Sequence, residues 1–136
     1  MTGISTLFQH ADALRAGTTT SVEQLDAALA RIAAPEGEGA RVFTRVYDGA
    51  ARAAAAAADG LRKVGMARSP IDGLTISIKD LFNVRGETTL AGSVVLADAA
   101  PADAHAEIVN RLIAAVAVIV GKTNMTEFAY SGLGLN

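Results

Sequence analysis

Two strand patterns in the second half of the chain are separated by a helix pattern, and this order restricts the available folds. Residues 74–79 (LTISIK) alternate strictly between apolar and polar side chains, which predicts a strand with one buried face. Residues 117–120 (AVIV) are apolar at every position, as expected of a strand covered on both faces. Between them we predict a helix from a cap at Asp103 to about Ala115. This order predicts a right-handed βαβ unit within an α/β fold.

The first part of the chain has the patterns of helices. Ser5 is a candidate cap for a first helix, and Gly17 is its predicted end. Thr20 and Glu23 have the spacing of a capping box, in which each side chain accepts a hydrogen bond from a free backbone N–H. Pro35 closes the amphipathic helix that follows. The chain is therefore predicted to begin with helices.

A short extended piece and a third helix complete this region. Residues 42–46 (VFTRV) favour an extended conformation. Asp48 is a candidate cap for a helix built on the alanine run 53–58, because alanine has the highest helix propensity. On this basis residues 1–66 form a mainly helical lead-in, and residues 67–136 begin the α/β core.

Composition excludes several classes of function. The chain has 12 Lys plus Arg and 14 Asp plus Glu, so its formal net charge is −2. This balance argues against binding nucleic acid or an anionic membrane through bulk charge. The absence of cysteine excludes disulfides, thiolate zinc sites and a cysteine nucleophile. The two histidines are far apart in sequence, so we expect no metal site.

Neither membrane insertion nor secretion is expected from the sequence. The longest apolar run, residues 112–120, is less than half of the roughly 20 residues that a membrane-spanning helix needs. Residues 1–4 lack the basic start and apolar stretch of a signal peptide. We therefore expect a cytoplasmic protein.

The first predicted strand ends in Lys79 and Asp80, which form the most informative pair of residues. In an open α/β sheet, reactive groups gather beyond the carboxyl ends of the strands. Lys79 shares the polar face of this strand with Thr75 and Ser77. A desolvated lysine at such a position has a lowered pKa and acts as a base. The alternative is an exposed lysine beside a turn aspartate, and the pattern alone leaves both interpretations open.

Other candidate motifs are weaker. Residues 121–123 (GKT) end like a phosphate-binding loop, but that loop needs glycine at position 116, which is Val116. The serines lie outside Gly-x-Ser-x-Gly and Ser-x-x-Lys motifs, so turn or capping roles are expected of them. His105 is expected at the surface. Phe128 and Tyr130 are expected to line an apolar pocket or to belong to the core.

Four segments together resemble the amidase signature hydrolases. Residues 70–80 (PIDGLTISIKD) look like the strand that carries the catalytic lysine of this family. Residues 111–128 (RLIAAVAVIVGKTNMTEF) are similar to its next landmark. Residues 89–93 (TLAGS) and 130–136 (YSGLGLN) also match in order and spacing. The resemblance begins at roughly residue 40, and the preceding helices fit more loosely.

The resemblance implies an α/β/α fold with a large mixed sheet, in which residues 1–136 are the N-terminal part of a single domain. It implies hydrolysis of a small-molecule amide by a Ser–cis-Ser–Lys triad, with no metal or organic cofactor. Lys79 matches the lysine base of that triad, and Asp80 supports the end of its strand. Tyr130 and Ser131 match positions that line the substrate cavity.

Two departures from the family pattern affect the expected activity and packing. Both serines of the triad are expected beyond Asn136, so the chain alone carries only the lysine and is expected to be inactive. Val116 stands where the family usually has glycine, which predicts strain if this position needs a positive φ. Unpaired strand edges and exposed apolar surface are also expected, and with them homo-oligomerisation.

Two alternative functions remain open. The glutaminase subunit of a tRNA-dependent amidotransferase shares these motifs, and it would require a partner subunit that receives the ammonia. The chain would otherwise be a non-catalytic binding or structural domain, which a compact monomer with cooperative unfolding would favour.

Overall fold

The computed structural model describes residues 5–131, which contain a three-stranded mixed sheet. Its strands are β1 (Phe43–Val46), β2 (Thr75–Lys79) and β3 (Val118–Thr123), and β3 lies in the centre. β3 runs parallel to β2 and antiparallel to β1. The predicted α/β class and the parallel pairing of the two strands are therefore confirmed. The glycine-rich segment 132–136, part of the resemblance, lies outside the described residues.

Helices occupy most of the first half of this region and the connection between β2 and β3. They are α1 (Leu7–Ala16), α2 (Ser21–Ala33), α3 (Gly39–Val42), α4 (Asp48–Lys63) and α5 (Glu107–Ala114). Residues Val94–Leu96 and Glu127–Ala129 add single turns of 3₁₀ helix. Within residues 5–131, none of these helices has the length and apolar character required to cross a membrane.

The helix caps agree with the sequence pattern at α2 and differ from it at α1. At α2 the backbone N–H of Glu23 donates to Thr20 Oγ1 at 3.1 Å, and that of Thr20 donates to Glu23 Oε2 at 2.9 Å. The predicted capping box is therefore present. At α1 the cap is Thr6 instead of Ser5, because the Thr6 hydroxyl accepts the hydrogen bond from the third helical residue. Gly17 ends this helix in a left-handed conformation, as predicted.

The core lies between β3 and the helices α2 and α4. It is formed by Leu25, Ala51, Ala55, Val118 and Val120, each no more than 3% exposed. The alanine run of α4 supplies small side chains, which let α2 and the sheet approach this helix closely. Alanine therefore contributes both high helix propensity and small volume at this interface.

β3 extends further than the sequence predicts. The predicted strand ends at Gly121, whereas β3 continues through Lys122 to Thr123. A Cβ atom at Gly121 would lie 2.2 Å from the carbonyl oxygen of Arg45 in β1. Glycine is therefore needed at this point because the two backbones approach closely, and it does not end the strand.

α5 is shorter than predicted. It begins at Glu107, so Asp103 does not cap it. The backbone N–H of Arg85 donates to His105 Nδ1 at 3.1 Å, which ties the residues before the helix to the loop after β2. This contact leaves His105 half-buried and delays the start of the helix.

The strain expected at Val116 is present. Its φ is +61°, in the left-handed region that β-branched residues rarely adopt. The carbonyl of Val116 accepts a hydrogen bond from the N–H of Gly73 at 2.8 Å, which holds the turn after α5 against the segment before β2. We assign this conformation a cost of about 1–2 kcal/mol relative to an unstrained residue.

Candidate active site

The carboxyl end of β2 carries Lys79, the predicted base. Lys79 is the last residue of the strand and is exposed, as is Ser77, while Ile78 between them is buried. The predicted alternation of faces therefore holds in this half of the strand. A β-bulge between Ile76 and Ser77 interrupts the alternation earlier, where the register with β3 shifts.

Backbone hydrogen bonds join the end of β2 to two later segments of the chain. The N–H of Asp80 donates to the carbonyl of Thr123 at 2.9 Å, which links the ends of β2 and β3. The N–H of Ala91 donates to the carbonyl of Asp80 at 3.0 Å, and the N–H of Phe128 donates to the carbonyl of Ala91 at 2.8 Å. The residues after Lys79, the loop around residue 91 and the turn around residue 128 are therefore tied together in sequence.

A buried serine strengthens the contact between the second and third of these segments. Ser93 is 3% exposed, and its hydroxyl donates to Glu127 Oε1 at 2.7 Å. The hydroxyl oxygen also accepts a hydrogen bond from the N–H of Val95 at 3.3 Å, so Ser93 has the capping role that the sequence predicts. A hydrogen bond to an ionised carboxylate is among the stronger neutral–ionic contacts in proteins.

The two segments that follow β2 contain strained backbone. Ala91, Phe128 and Ala129 have φ values of 50°, 49° and 59°, and Gly92 has a φ of 70°. Left-handed conformations in residues other than glycine cost about 1–3 kcal/mol each and cluster at functional sites. The helix that the sequence allows over residues 123–130 is therefore reduced to a single 3₁₀ turn.

Tyr130 and Ser131 follow directly on this strained turn, and both are exposed. Tyr130 is 93% exposed and Phe128 is 53% exposed, so neither belongs to the core of the described residues. The interpretation of these aromatic residues as core residues was therefore wrong. The role of Tyr130 and Ser131 in lining a substrate cavity stays a prediction.

The sequence analysis missed a buried ion pair directly behind Lys79. Asp80 Oδ1 lies 2.6 Å from Lys122 Nζ, and the two residues are 3% and 2% exposed. Within the described residues, neither atom has a further hydrogen-bond partner, so each charge is compensated by the other. Lys122 shares the parity of Val118 and Val120 along β3, which was the available signal for its burial.

A second polar cluster lies on β1 and the residues around it. The hydroxyl of Tyr47 donates to Glu87 Oε2 at 2.7 Å, and Arg45 Nη1 lies 3.2 Å from Glu87 Oε1. Burial, followed by the hydrogen bond to Glu87, raises the pKa of the Tyr47 phenol well above its usual value. Tyr47 and Glu87 border an apolar cavity of about 380 Å³ between α4, α5 and the sheet.

The chemistry that this site supports is proton transfer by an amine. Among residues 5–131, no group of three or more His, Cys, Asp or Glu side chains is placed to hold a metal ion. Lys79 presents its amine at the carboxyl end of a parallel strand, where open α/β sheets carry their reactive groups. In its uncharged form such an amine accepts a proton from a neighbouring hydroxyl.

Comparison with known proteins identifies relatives of this chain. The family model Amidase matches residues 23–136. The chain is 47% identical over 117 residues to a glutamyl-tRNA(Gln) amidotransferase subunit from Chloroflexus aggregans, covering 86% of this chain and 24% of the relative. It is 41% identical over 119 residues to AtzE, a 1-carboxybiuret hydrolase subunit from Pseudomonas sp., covering 88% of this chain and 26% of that protein.

A solved structure extends the agreement from sequence to fold. It is described as a vestigial protein complex that reveals the evolutionary origins of an s-triazine catabolic enzyme. The match has a TM-score of 0.82 and 38% sequence identity, and covers 93% of this chain and 27% of that one. The chain therefore spans about a quarter of the length of the relatives that it matches. Taken together, the strand that ends in Lys79, the matched segments and the shared fold show that the chain belongs to the amidase signature family.

Proposed function

We propose that the protein is an amidase, which hydrolyses a small-molecule carboxylic amide to an acid and ammonia or an amine. The observation that carries this proposal is the exposed Lys79 at the carboxyl end of β2, followed at once by the buried Asp80. The Amidase family match over residues 23–136 supports the same reaction class.

Lys79 is proposed to act as the base of a Ser–cis-Ser–Lys triad. Its uncharged amine takes a proton from the serine of a cis peptide, and that serine takes the proton of the nucleophilic serine. The nucleophile attacks the amide carbon, the amine leaves with a proton, and water then releases the acid from the acyl-enzyme. Tyr130 and Ser131 line the substrate cavity in this proposal, and no metal or organic cofactor takes part.

The residues of this chain supply only the lysine of that triad, so the chain alone is proposed to be inactive. The test is ammonia release from glutamine and simple amides by the purified chain, compared with its Lys79→Ala variant. We expect no hydrolysis above background from either protein. Activity of the chain that Lys79→Ala abolishes would overturn the proposed division of the triad.

A chimera tests the role of Lys79 directly. Residues 23–131 replace the matching segment of the Chloroflexus aggregans relative, which is 47% identical over 117 residues. We expect Lys79→Ala in this chimera to lower kcat by at least about a thousandfold, since a base in a triad acts as a unit with its partners. Lys63→Ala removes an exposed lysine at the end of α4 and serves as the matched control. Equal activity of the two variants would contradict the proposal.

The named relatives favour a second, narrower candidate. One is a subunit of a glutamyl-tRNA(Gln) amidotransferase, and another is a subunit of a 1-carboxybiuret hydrolase. A glutaminase that passes ammonia to a partner would prefer glutamine over other amides and would co-purify with a second subunit. An amidase that acts without such a partner would show neither property.

A cytoplasmic location belongs to the same proposal, because a chain without cysteine does not use an oxidising compartment. The remaining alternative is a non-catalytic binding or structural domain. It would be favoured by a chain that is a compact monomer and unfolds cooperatively, and by an active chimera that does not depend on Lys79.

A further inference from the structure

We propose that the buried ion pair between Asp80 and Lys122 is a positioning device for Lys79. Asp80 directs the neighbouring lysine side chain outward, and Lys122 cancels the carboxylate charge that would otherwise lie behind it. Asp80 and Lys122 would thus be positioning residues. The inference rests on the proposed role of Lys79 as a base, and it concerns how that base is held and charged.

The direction of the Lys79 side chain follows from the burial of its neighbour. Successive side chains of an extended backbone point to opposite sides. Asp80 is 3% exposed and turns its carboxylate inward to Lys122, whereas Lys79 is exposed. The backbone of Asp80 is fixed as well, because its N–H donates to Thr123 and its carbonyl accepts from Ala91. The carboxylate and both backbone groups therefore hold the residue next to Lys79 in one orientation.

The register of the sheet places the second charge close to the same strand end. Lys122 is the Cα partner of Ile78, and Thr123 is the Cα partner of Lys79. Neighbouring strands lie about 4.8 Å apart, so Lys122 is one residue away from lying directly opposite Lys79. An unpaired charge at this depth is poorly screened, and it would shift the pKa of Lys79 by about one unit.

The other charged groups nearby are already compensated. Arg45 is the Cα partner of Lys122, and it is paired with Glu87 at 3.2 Å. Glu87 also accepts the hydrogen bond from Tyr47. The charge of Asp80 reaches this cluster, since it contributes to the raised pKa of Tyr47. Removing Lys122 alone would therefore leave one new uncompensated charge, the carboxylate of Asp80.

Stability alone does not account well for such a pair. Exchange of a buried ion pair for apolar groups of similar size is often neutral or stabilising, because desolvation offsets the attraction between the charges. Loss of one partner is costly, because the other charge is then buried alone. The pair is therefore expected to matter through its position beside Lys79 and through its zero net charge.

The test is the pKa of Lys79 in the full 136-residue chain, measured by NMR of its ε-methylene group with labelled lysine. Lys79→Arg identifies the signal among those of the other lysines. We expect Lys122→Met to raise the pKa of Lys79 by about one unit, because the Asp80 carboxylate then favours the charged amine. Lys122→Arg keeps the charge, and the double variant Asp80→Asn with Lys122→Met removes both charges. We expect both to leave the pKa within about 0.3 units of the original value. Lys63→Met is the control for loss of a remote, exposed lysine.

A folded Lys122→Met variant with an unchanged Lys79 pKa would overturn the inference. If Lys122→Met does not fold, the double variant decides. A folded double variant with the original Lys79 pKa supports the inference, because each charge then matters only when the other is missing. A double variant that is unfolded, or in which the pKa has moved, overturns it. This readout is the ionisation of Lys79, so its outcome is independent of whether the chimera hydrolyses amides.

Discussion

At the scale of single residues, two side chains occupy environments that differ from those their residue type usually prefers. Val116 has a φ of +61°, although its branched Cβ disfavours that conformation. Tyr47 is half-buried, with its hydroxyl on the carboxylate of Glu87 at 2.7 Å. In each case the neighbouring structure supplies the compensation, and each environment has a measurable consequence.

The phenol of Tyr47 is expected to ionise at higher pH than an ordinary tyrosine. Burial and the bond to Glu87 favour its protonated form, so the folded state binds this proton more tightly than the unfolded state does. The free energy of unfolding is therefore unaffected below the ordinary pKa of 10.0 and falls as the pH rises above it. Absorbance titration of Tyr130→Phe, in which Tyr47 is the remaining tyrosine, checks the shift.

The matched variant for this prediction is Tyr47→Phe. It removes the titrating group, so its unfolding free energy is expected to decrease less between about pH 9 and pH 11 than that of the original chain. Ionisation of Tyr47 at the ordinary value in the Tyr130→Phe variant would contradict the structure.

Val116→Gly is expected to stabilise the chain. Glycine adopts a positive φ without the steric cost that valine has here, and we expect a gain of about 1 kcal/mol in the free energy of unfolding. Ala115→Gly is the control, because Ala115 has a φ of −79° and gains nothing from glycine. Urea unfolding of both variants checks the prediction, and a lower midpoint for Val116→Gly would show that lost apolar contacts outweigh the strain.

At the scale of secondary-structure elements, the sheet depends on a close approach between β1 and β3. Gly121 is the Cα partner of Val46, and a Cβ atom there would be 2.2 Å from the carbonyl oxygen of Arg45. A backbone atom cannot move aside as the end of a long side chain can. β1 therefore joins the sheet only because β3 has glycine at this position.

Gly121→Ala is accordingly expected to displace β1 and to lower the free energy of unfolding by about 3 kcal/mol or more. Gly60→Ala provides a contrast within the same chain, because a Cβ atom at Gly60 in α4 meets nothing within 4 Å. That variant is expected to be stabilised by about 0.5–1 kcal/mol. Amide hydrogen exchange in β1, measured with urea unfolding, distinguishes local loss of pairing from global unfolding. Equal stability of the two variants would contradict the geometry.

At the scale of the whole molecule, the described residues expose more large apolar side chains than their core accounts for. Val94, Val95 and Phe8 are 88%, 77% and 81% exposed. The strands β1 and β2 lie at the two edges of the described sheet, and each has one side without a strand partner there. Exposed apolar groups and strand edges both promote association between chains.

We therefore expect the purified chain to self-associate and to bind an apolar dye. Combined replacement of Val94 by Lys and Val95 by Thr is expected to reduce both properties. Val64→Lys, at a 68% exposed position after α4, is the control for added charge elsewhere. Light scattering after size-exclusion chromatography gives the mass, and fluorescence gives the dye binding. A monomer that melts sharply and binds no dye would contradict this expectation and favour the non-catalytic domain.

The sequence by itself determined the features that depend on local chemistry. Strict alternation identified β2 and the face that Lys79 occupies at its end, and the spacing of Thr20 and Glu23 identified the start of α2. The matched segments around Lys79 indicated the family without reference to the fold. These features need only neighbouring residues, so periodicity and capping chemistry are sufficient to specify them.

The tertiary structure decided what depends on residues that are distant in sequence. Gly121 continues β3 because β1 lies against it, and α5 starts late because His105 contacts the loop after β2. The pairing of Asp80 with Lys122 was hidden for the same reason, since 42 positions separate two charges that the parallel register brings within 2.6 Å. Burial of a charge is settled by the partner that the fold supplies, and local sequence carries no record of that partner.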